Sequence, residues 1–131
     1  MPRWKLLQYV SGNGRRSIED WQKKLPLGKA RADFDTFLKL MAKSQKWEPP
    51  DIKALQGARY KGLTELRWKS GGVPYRILGY QTGLMEYLML VGCTHDKKKY
   101  KPPDALETAR RRRDEINKGK ASTCEFKLTT N

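Results

Sequence analysis

The chain has 131 residues, with 28 Lys and Arg against 14 Asp and Glu, a formal net charge of +14. That length fits one domain with a real core but not two. Such a charge opposes compaction, so an anionic partner is expected: nucleic acid, an anionic membrane surface or an acidic protein. No apolar stretch approaches the ~18 residues of a spanning helix, which makes membrane the weakest of the three.

The opening Met1-Pro2-Arg3-Trp4-Lys5 leads into a strand-like run and lacks the apolar segment of a signal peptide. Two cysteines, Cys93 and Cys124, make no disulfide framework, and one histidine without HxxxH or CxxC spacing makes no metal site. The expectation is a cytoplasmic protein with no cofactor.

Residues 4–10 read as a first strand, broken by Ser11-Gly12-Asn13-Gly14. Ser17 followed by Asp20 resembles a capping box, and Ile18, Trp21 and Leu25 then fall on one helical face. Pro26 and Gly28 interrupt. A longer helix carries Ala30, Phe34, Phe37, Leu38 and Met41 as a core stripe, with Lys29, Arg31, Asp33, Lys39 and Lys43 on its other side. After a Trp47–Pro50 loop, Ile52 to Ala58 is predicted as a short strand. Firm strands follow over 63–69, 73–81 and 84–94, the last so continuously apolar that it should be central. Asp104 then caps a helix with Leu106, Ala109, Arg113 and Ile116 on one side. The expected architecture is an α+β sandwich, a small antiparallel sheet with helices on one face. Residues 1–118 form the domain, and 119–131, polar and glycine-broken, are expected as a flexible tail.

Gly71-Gly72 is a favoured two-residue hairpin loop. It sets Trp68 opposite Tyr75 and Leu66 opposite Ile77 on an apolar face, and Arg67 opposite Arg76 on the other. Like charges in direct opposition destabilise a sheet, so an anion is expected there, either Glu65 or a bound phosphate. If Thr82-Gly83 forms the next turn, Tyr87, Met89, Val91, Cys93 and His95 join the arginine face. His95 then lies some 20 Å along the strand from the residue facing Arg76, an extended groove suited to a polymer.

Arginine's planar fork makes Arg67 and Arg76 candidates for a phosphate clamp, against a solvated face paired to Glu65. His95 is a candidate acid or base, against a strand-end histidine. Glu65 is a candidate base or a cross-strand counterion. Lys61, Lys97, Lys98, Lys99 and Lys101 are candidate phosphate contacts, and Tyr100 a stacking ring, against a solvated turn. Arg110 to Arg113 fan around a helix and read mainly as surface for a nucleic-acid backbone.

The order of elements, Leu63-x-Glu65-Leu66-Arg67, the glycine turn, Tyr75-Arg76, an apolar strand to Gly92, a lysine-rich segment closing at Pro102-Pro103 and a last helix with Ala109 resemble the RelE/HigB superfamily of type II toxins, nearest its phage-derived HigB-like branch. The resemblance spans about residues 4–116. It implies a cytoplasmic, metal-free endoribonuclease that cuts mRNA in the ribosomal 30S A site, held in check by a cognate antitoxin, possibly a helix-turn-helix protein. The reaction it implies is attack of the ribose 2′-OH on the adjacent phosphate. By position, Arg76 would stabilise the phosphorane, Arg67 orient the phosphate, His95 protonate the 5′-oxygen and Glu65 act as base. Some members place lysine where Glu65 stands. Two other functions fit the same charge: a non-catalytic nucleic-acid-binding module on this fold, and a basic protein with an acidic partner.

Overall fold

The computed structural model describes residues 3–129. Along the chain run β1 (Lys5–Val10), α1 (Ser17–Lys24), α2 (Lys29–Lys43), β2 (Ile52–Ala54), a short 3-10 turn (Ala58–Tyr60), β3 (Thr64–Ser70), β4 (Val73–Gly83), β5 (Glu86–Asp96), β6 (Lys99–Lys101), α3 (Ala105–Asn117) and β7 (Ser122–Glu125). Seven strands make one sheet in the order β2-β3-β4-β5-β1-β7, with β6 also paired to β5. The sheet is mixed. β1 runs parallel to β5, Lys5 opposite Glu86 through Gln8 opposite Met89, where a wholly antiparallel sheet was expected. Parallel pairing needs a long crossover, and the segment from α1 to β4 supplies one.

The expectation that all helices share one face is corrected. α1 and α2 cover one side through Ile18, Phe34, Leu38 and Met41, against Leu6, Leu66, Ile77, Tyr87 and Met89. α3 covers the other through Ala105 and Ala109, against Leu78, Leu88, Leu90 and Val91. The unbroken apolar run of β5 is the physical reason, since a strand with no polar face must be buried on both.

On the α1/α2 side the stripe of α2 packs as its spacing predicts. Trp68 stacks on Phe37 with ring centroids 4.8 Å apart and on Tyr75 at 5.6 Å. Trp21 lies flat enough on β5 that a Cβ at Gly92 would fall 2.2 Å from its ring, so only glycine fits there. The expected Ser17/Asp20 capping box does not form; the N-cap residue is Arg16, with no side-chain cap. Buried Gln8 of β1 does the work instead, its Oε1 accepting from the N–H groups of Ile18 at 3.2 Å and Glu19 at 3.0 Å. Any well-placed acceptor satisfies orphan helix donors, and one from a neighbouring strand leaves no local signature.

The first hairpin has the expected register, with Leu66 opposite Ile77, Arg67 opposite Arg76 and Trp68 opposite Tyr75. The second does not. Gly83 pairs with Glu86, so the loop is Leu84-Met85 rather than Thr82-Gly83. A bulge follows: Leu78 faces Val91 while Gly79 faces Met89. One extra residue inverts the side-chain phase. Tyr87 and Met89 therefore join the α1/α2 core, not the arginine face, whereas Val91 and Cys93 lie on the arginine side as expected.

The segment expected as a flexible tail carries β7, which pairs antiparallel with β1 from Leu7–Glu125 to Val10–Ser122. Beyond it the Phe126 N–H donates to Leu6 O at 2.8 Å. The Phe126 ring is 6% exposed and packs edge-on against Phe34. The Thr129 hydroxyl donates to Asp35 on α2. Residues 130–131 of the expected tail lie outside the described residues.

Candidate functional site

Alternation along β3 sends Leu63, Glu65, Arg67 and Lys69 to the α3 side. The hairpin register adds Arg76 from β4, and the second register adds Cys93, directly opposite Arg76. His95 is then two residues past that pair, ~7 Å along the strand and not 20 Å. The short β5–β6 hairpin sets Tyr100 opposite His95. Their rings meet edge-on, 4.8 Å between centroids. The shifted turn thus condenses an extended groove into a cluster.

At its centre is the Glu65 carboxylate, only 7% exposed. It accepts a hydrogen bond from the Tyr100 hydroxyl at 2.9 Å. Arg76 Nε lies 3.5 Å from Oε2 and Arg67 Nε 3.8 Å from Oε1. Tyr100 on β6 reaches Glu65 on β3 across two intervening strands, so the sheet is concave on this side. Arg76 is 6% exposed, and its Nη1 donates to Tyr75 O at 2.9 Å. Its Nε, close to Glu65, has no hydrogen bond of acceptable geometry. A buried guanidinium donor without a partner is costly.

Burial pulls the Arg76 pKa below its ordinary value; Glu65 opposes that and Arg67 adds to it. The Tyr100 phenol is pushed well above its usual range by burial, then by the charge of Glu65 and the hydrogen bond to it. It therefore stays protonated at neutral pH and serves as a donor. Burial raises the Cys93 thiol to about 12, with Glu65 adding to the shift, so that sulfur is inert at neutral pH.

The structure thus brings together Glu65, Arg67, Arg76, His95 and Tyr100. Lys97 and Lys98 form the loop of the adjoining hairpin. Lys99 and Lys101 flank Tyr100 and alternate to the opposite face; Lys101 lies 3.7 Å from Asp96. Lys61 is off the far end of β3, where its carbonyl accepts from Arg113 Nη1 at 2.7 Å. The arginine run on α3 is largely structural. Arg112 Nη1 donates to Leu90 O at 2.7 Å and its guanidinium sits 4.9 Å from the centroid of the Tyr9 ring. Arg113 ties α3 to the loop before β3, and Arg110 lies 3.9 Å from Glu107. Of the four, only Arg111 is exposed.

Two cations on the arginine side escaped the sequence reading. Lys69 follows Arg67 by two residues on the same strand face, a position legible from the hairpin alone. Lys53 sits opposite Glu65, and only the β2–β3 register reveals it. No group of three or more metal-ligating side chains occurs among the described residues.

Lys97 and Lys98 have positive φ, 44° and 72°. That is the left-handed region, which suits Asn-Gly in a two-residue hairpin loop and strains lysine. Replacing the pair by Asn-Gly is expected to stabilise the fold by about 1–2 kcal/mol. A urea midpoint at or below the wild-type value would count against the strain. No family model, curated protein or solved structure matches the chain.

Proposed function

We propose that this chain is an endoribonuclease of the RelE/HigB type, the toxin of a type II toxin-antitoxin pair. The observation that carries the proposal is Arg76, a guanidinium 6% exposed whose Nε lacks a hydrogen bond, beside a second arginine with one carboxylate between them. A cluster with two cations, one anion and an unmet donor has room for the charge of a phosphodiester. Two helices on one sheet face and a C-terminal helix fit the same architecture.

In the proposed reaction Glu65 takes the proton of a ribose 2′-OH, and the 2′-oxygen attacks the adjacent phosphorus. Arg76 and Arg67 neutralise the charge that develops on the equatorial oxygens. As the P–O5′ bond breaks, His95 gives a proton to the 5′-oxygen. The products are a 2′,3′-cyclic phosphate and a 5′-hydroxyl. The Tyr100 hydrogen bond fixes the carboxylate's position. The proposed substrate is mRNA in the ribosomal A site, and the proposed partner is a neutralising antitoxin.

One observation favours a second function, a non-catalytic RNA-binding module. Glu65 is already engaged by Tyr100 and lies beside both arginines, as a counterion would be. Cell-free translation of a defined mRNA with the purified protein separates the two. Primer extension is expected to show cuts within the reading frame, and the upstream fragments are expected to end in a 2′,3′-cyclic phosphate that blocks 3′-end ligation until it is removed. Intact mRNA at protein concentrations in excess of ribosomes would leave the binding module.

A further inference from the structure

We propose that the α3 side of β2 and β3 is a ladder for consecutive phosphates of one extended RNA strand, with Lys53 and Lys69 as its outer rungs. The inference rests on the RNA-cleavage function above and names how that site holds its substrate.

The register fixes the rungs. Lys53 lies opposite Glu65, Arg67 opposite Arg76, and Lys69 opposite Pro74. Residues two apart on one face are ~7 Å apart along the strand. The repeat of an extended phosphodiester chain is of comparable length, so successive phosphates can meet successive rungs. A single small anion would need one rung only. The two lysines are exposed, and neither has a carboxylate within ion-pair distance among the described residues.

The reasons are local. Lys69 has a proline as its cross-strand neighbour, and the carboxylate opposite Lys53 is engaged by Tyr100. On the α3 side the helical acid Glu107 is spent on Arg59, 2.7 Å away. The molecule therefore leaves unneutralised cations on either side of its buried arginine. That placement suits a backbone that passes through the site and continues beyond it in both directions.

The test uses 2′-O-methyl RNA, which lacks the attacking hydroxyl, and fluorescence anisotropy over a salt series. Each phosphate contact on a single strand adds about 0.7 to the slope of log K against log salt. Lys53→Ala and Lys69→Ala are each expected to lower the slope by about that amount. Lys118→Ala, an exposed lysine beyond α3, is expected to leave it unchanged. Affinity should rise from dinucleotide to roughly four nucleotides as rungs fill, then level off. Wild-type slopes in both lysine variants, or a dinucleotide bound as tightly as an octanucleotide, would overturn the ladder. If mRNA is still cut while those slopes are unchanged, the ladder alone fails. Lowered slopes with no cleavage support the ladder and sink the catalytic function, and no RNA binding at all sinks both.

Discussion

Replacing Arg76 by alanine is expected to lower the proposed RNA cleavage by about 10²–10³-fold, the usual loss when one donor to a developing oxyanion is removed. If the proposed reaction holds, the effect falls on kcat more than on KM, because the interaction would strengthen as the phosphorane forms. Arg76 is also buried beside Glu65, so its truncation leaves a carboxylate with less compensation. Removing one partner of a buried pair destabilises by about 3–5 kcal/mol, and here Arg67 and the Tyr100 hydroxyl offset part of that. Arg76→Lys keeps the charge and separates the two effects. It should fold with a near wild-type melting transition yet remain well below wild-type rate, since an ammonium lacks the planar fork. A lysine variant that folds and cleaves within threefold of wild type would remove Arg76 from the mechanism.

The second large effect is on stability. Phe126→Ala should cost about 3–5 kcal/mol, the range for truncating a buried phenylalanine. The ring fills space against Phe34, and its N–H extends the β7–β1 pairing to Leu6. Against a total of about 5–15 kcal/mol for a domain, that is a large share. With a urea m-value of about 1–3 kcal/mol/M, the unfolding midpoint should fall by about 1 M at the least. Thr129→Val, which removes only a surface hydrogen bond to Asp35, should shift it little. A midpoint for Phe126→Ala within 0.3 M of wild type, on the order of half a kcal/mol, would show that the C-terminal segment is peripheral in solution.

How much of this was legible in the sequence differs by element. The arginine pair was, because Gly71-Gly72 admits one register and the register dictates what faces what. The α2 stripe was, because Phe34, Leu38 and Met41 keep helical spacing. The turn at Leu84-Met85 was not. An exposed leucine, 92% accessible, and a methionine at φ 57° occupy positions where turn chemistry points to the neighbouring Thr-Gly. The bulge after it leaves no mark in a run that is apolar on both faces. β7 was hidden for another reason: Ser122-Thr123-Cys124-Glu125 has the polarity of a loop and is held as a strand by β1. His95 and Tyr100 were named from residue type, but the place of Tyr100 on Glu65 and of His95 against Tyr100 depended on the turn that could not be read.

The parallel pairing of β1 with β5 sets an order of events in folding. As the chain emerges from the ribosome, β1 has no partner until β5 follows about 80 residues later, and it must then also receive β7. The β3–β4–β5 meander is built of local hairpins and can form while its neighbours are still unplaced. Chains rich in such distant contacts fold on the slow side, in milliseconds to seconds. Until β1 docks, the Glu86–Met89 half of β5 presents an unpaired edge, while α2 can already cover Trp68 through Phe34 and Phe37. Chaperone dependence and aggregation during rapid expression should therefore track the docking of β1 rather than the stability of the arginine-bearing hairpin.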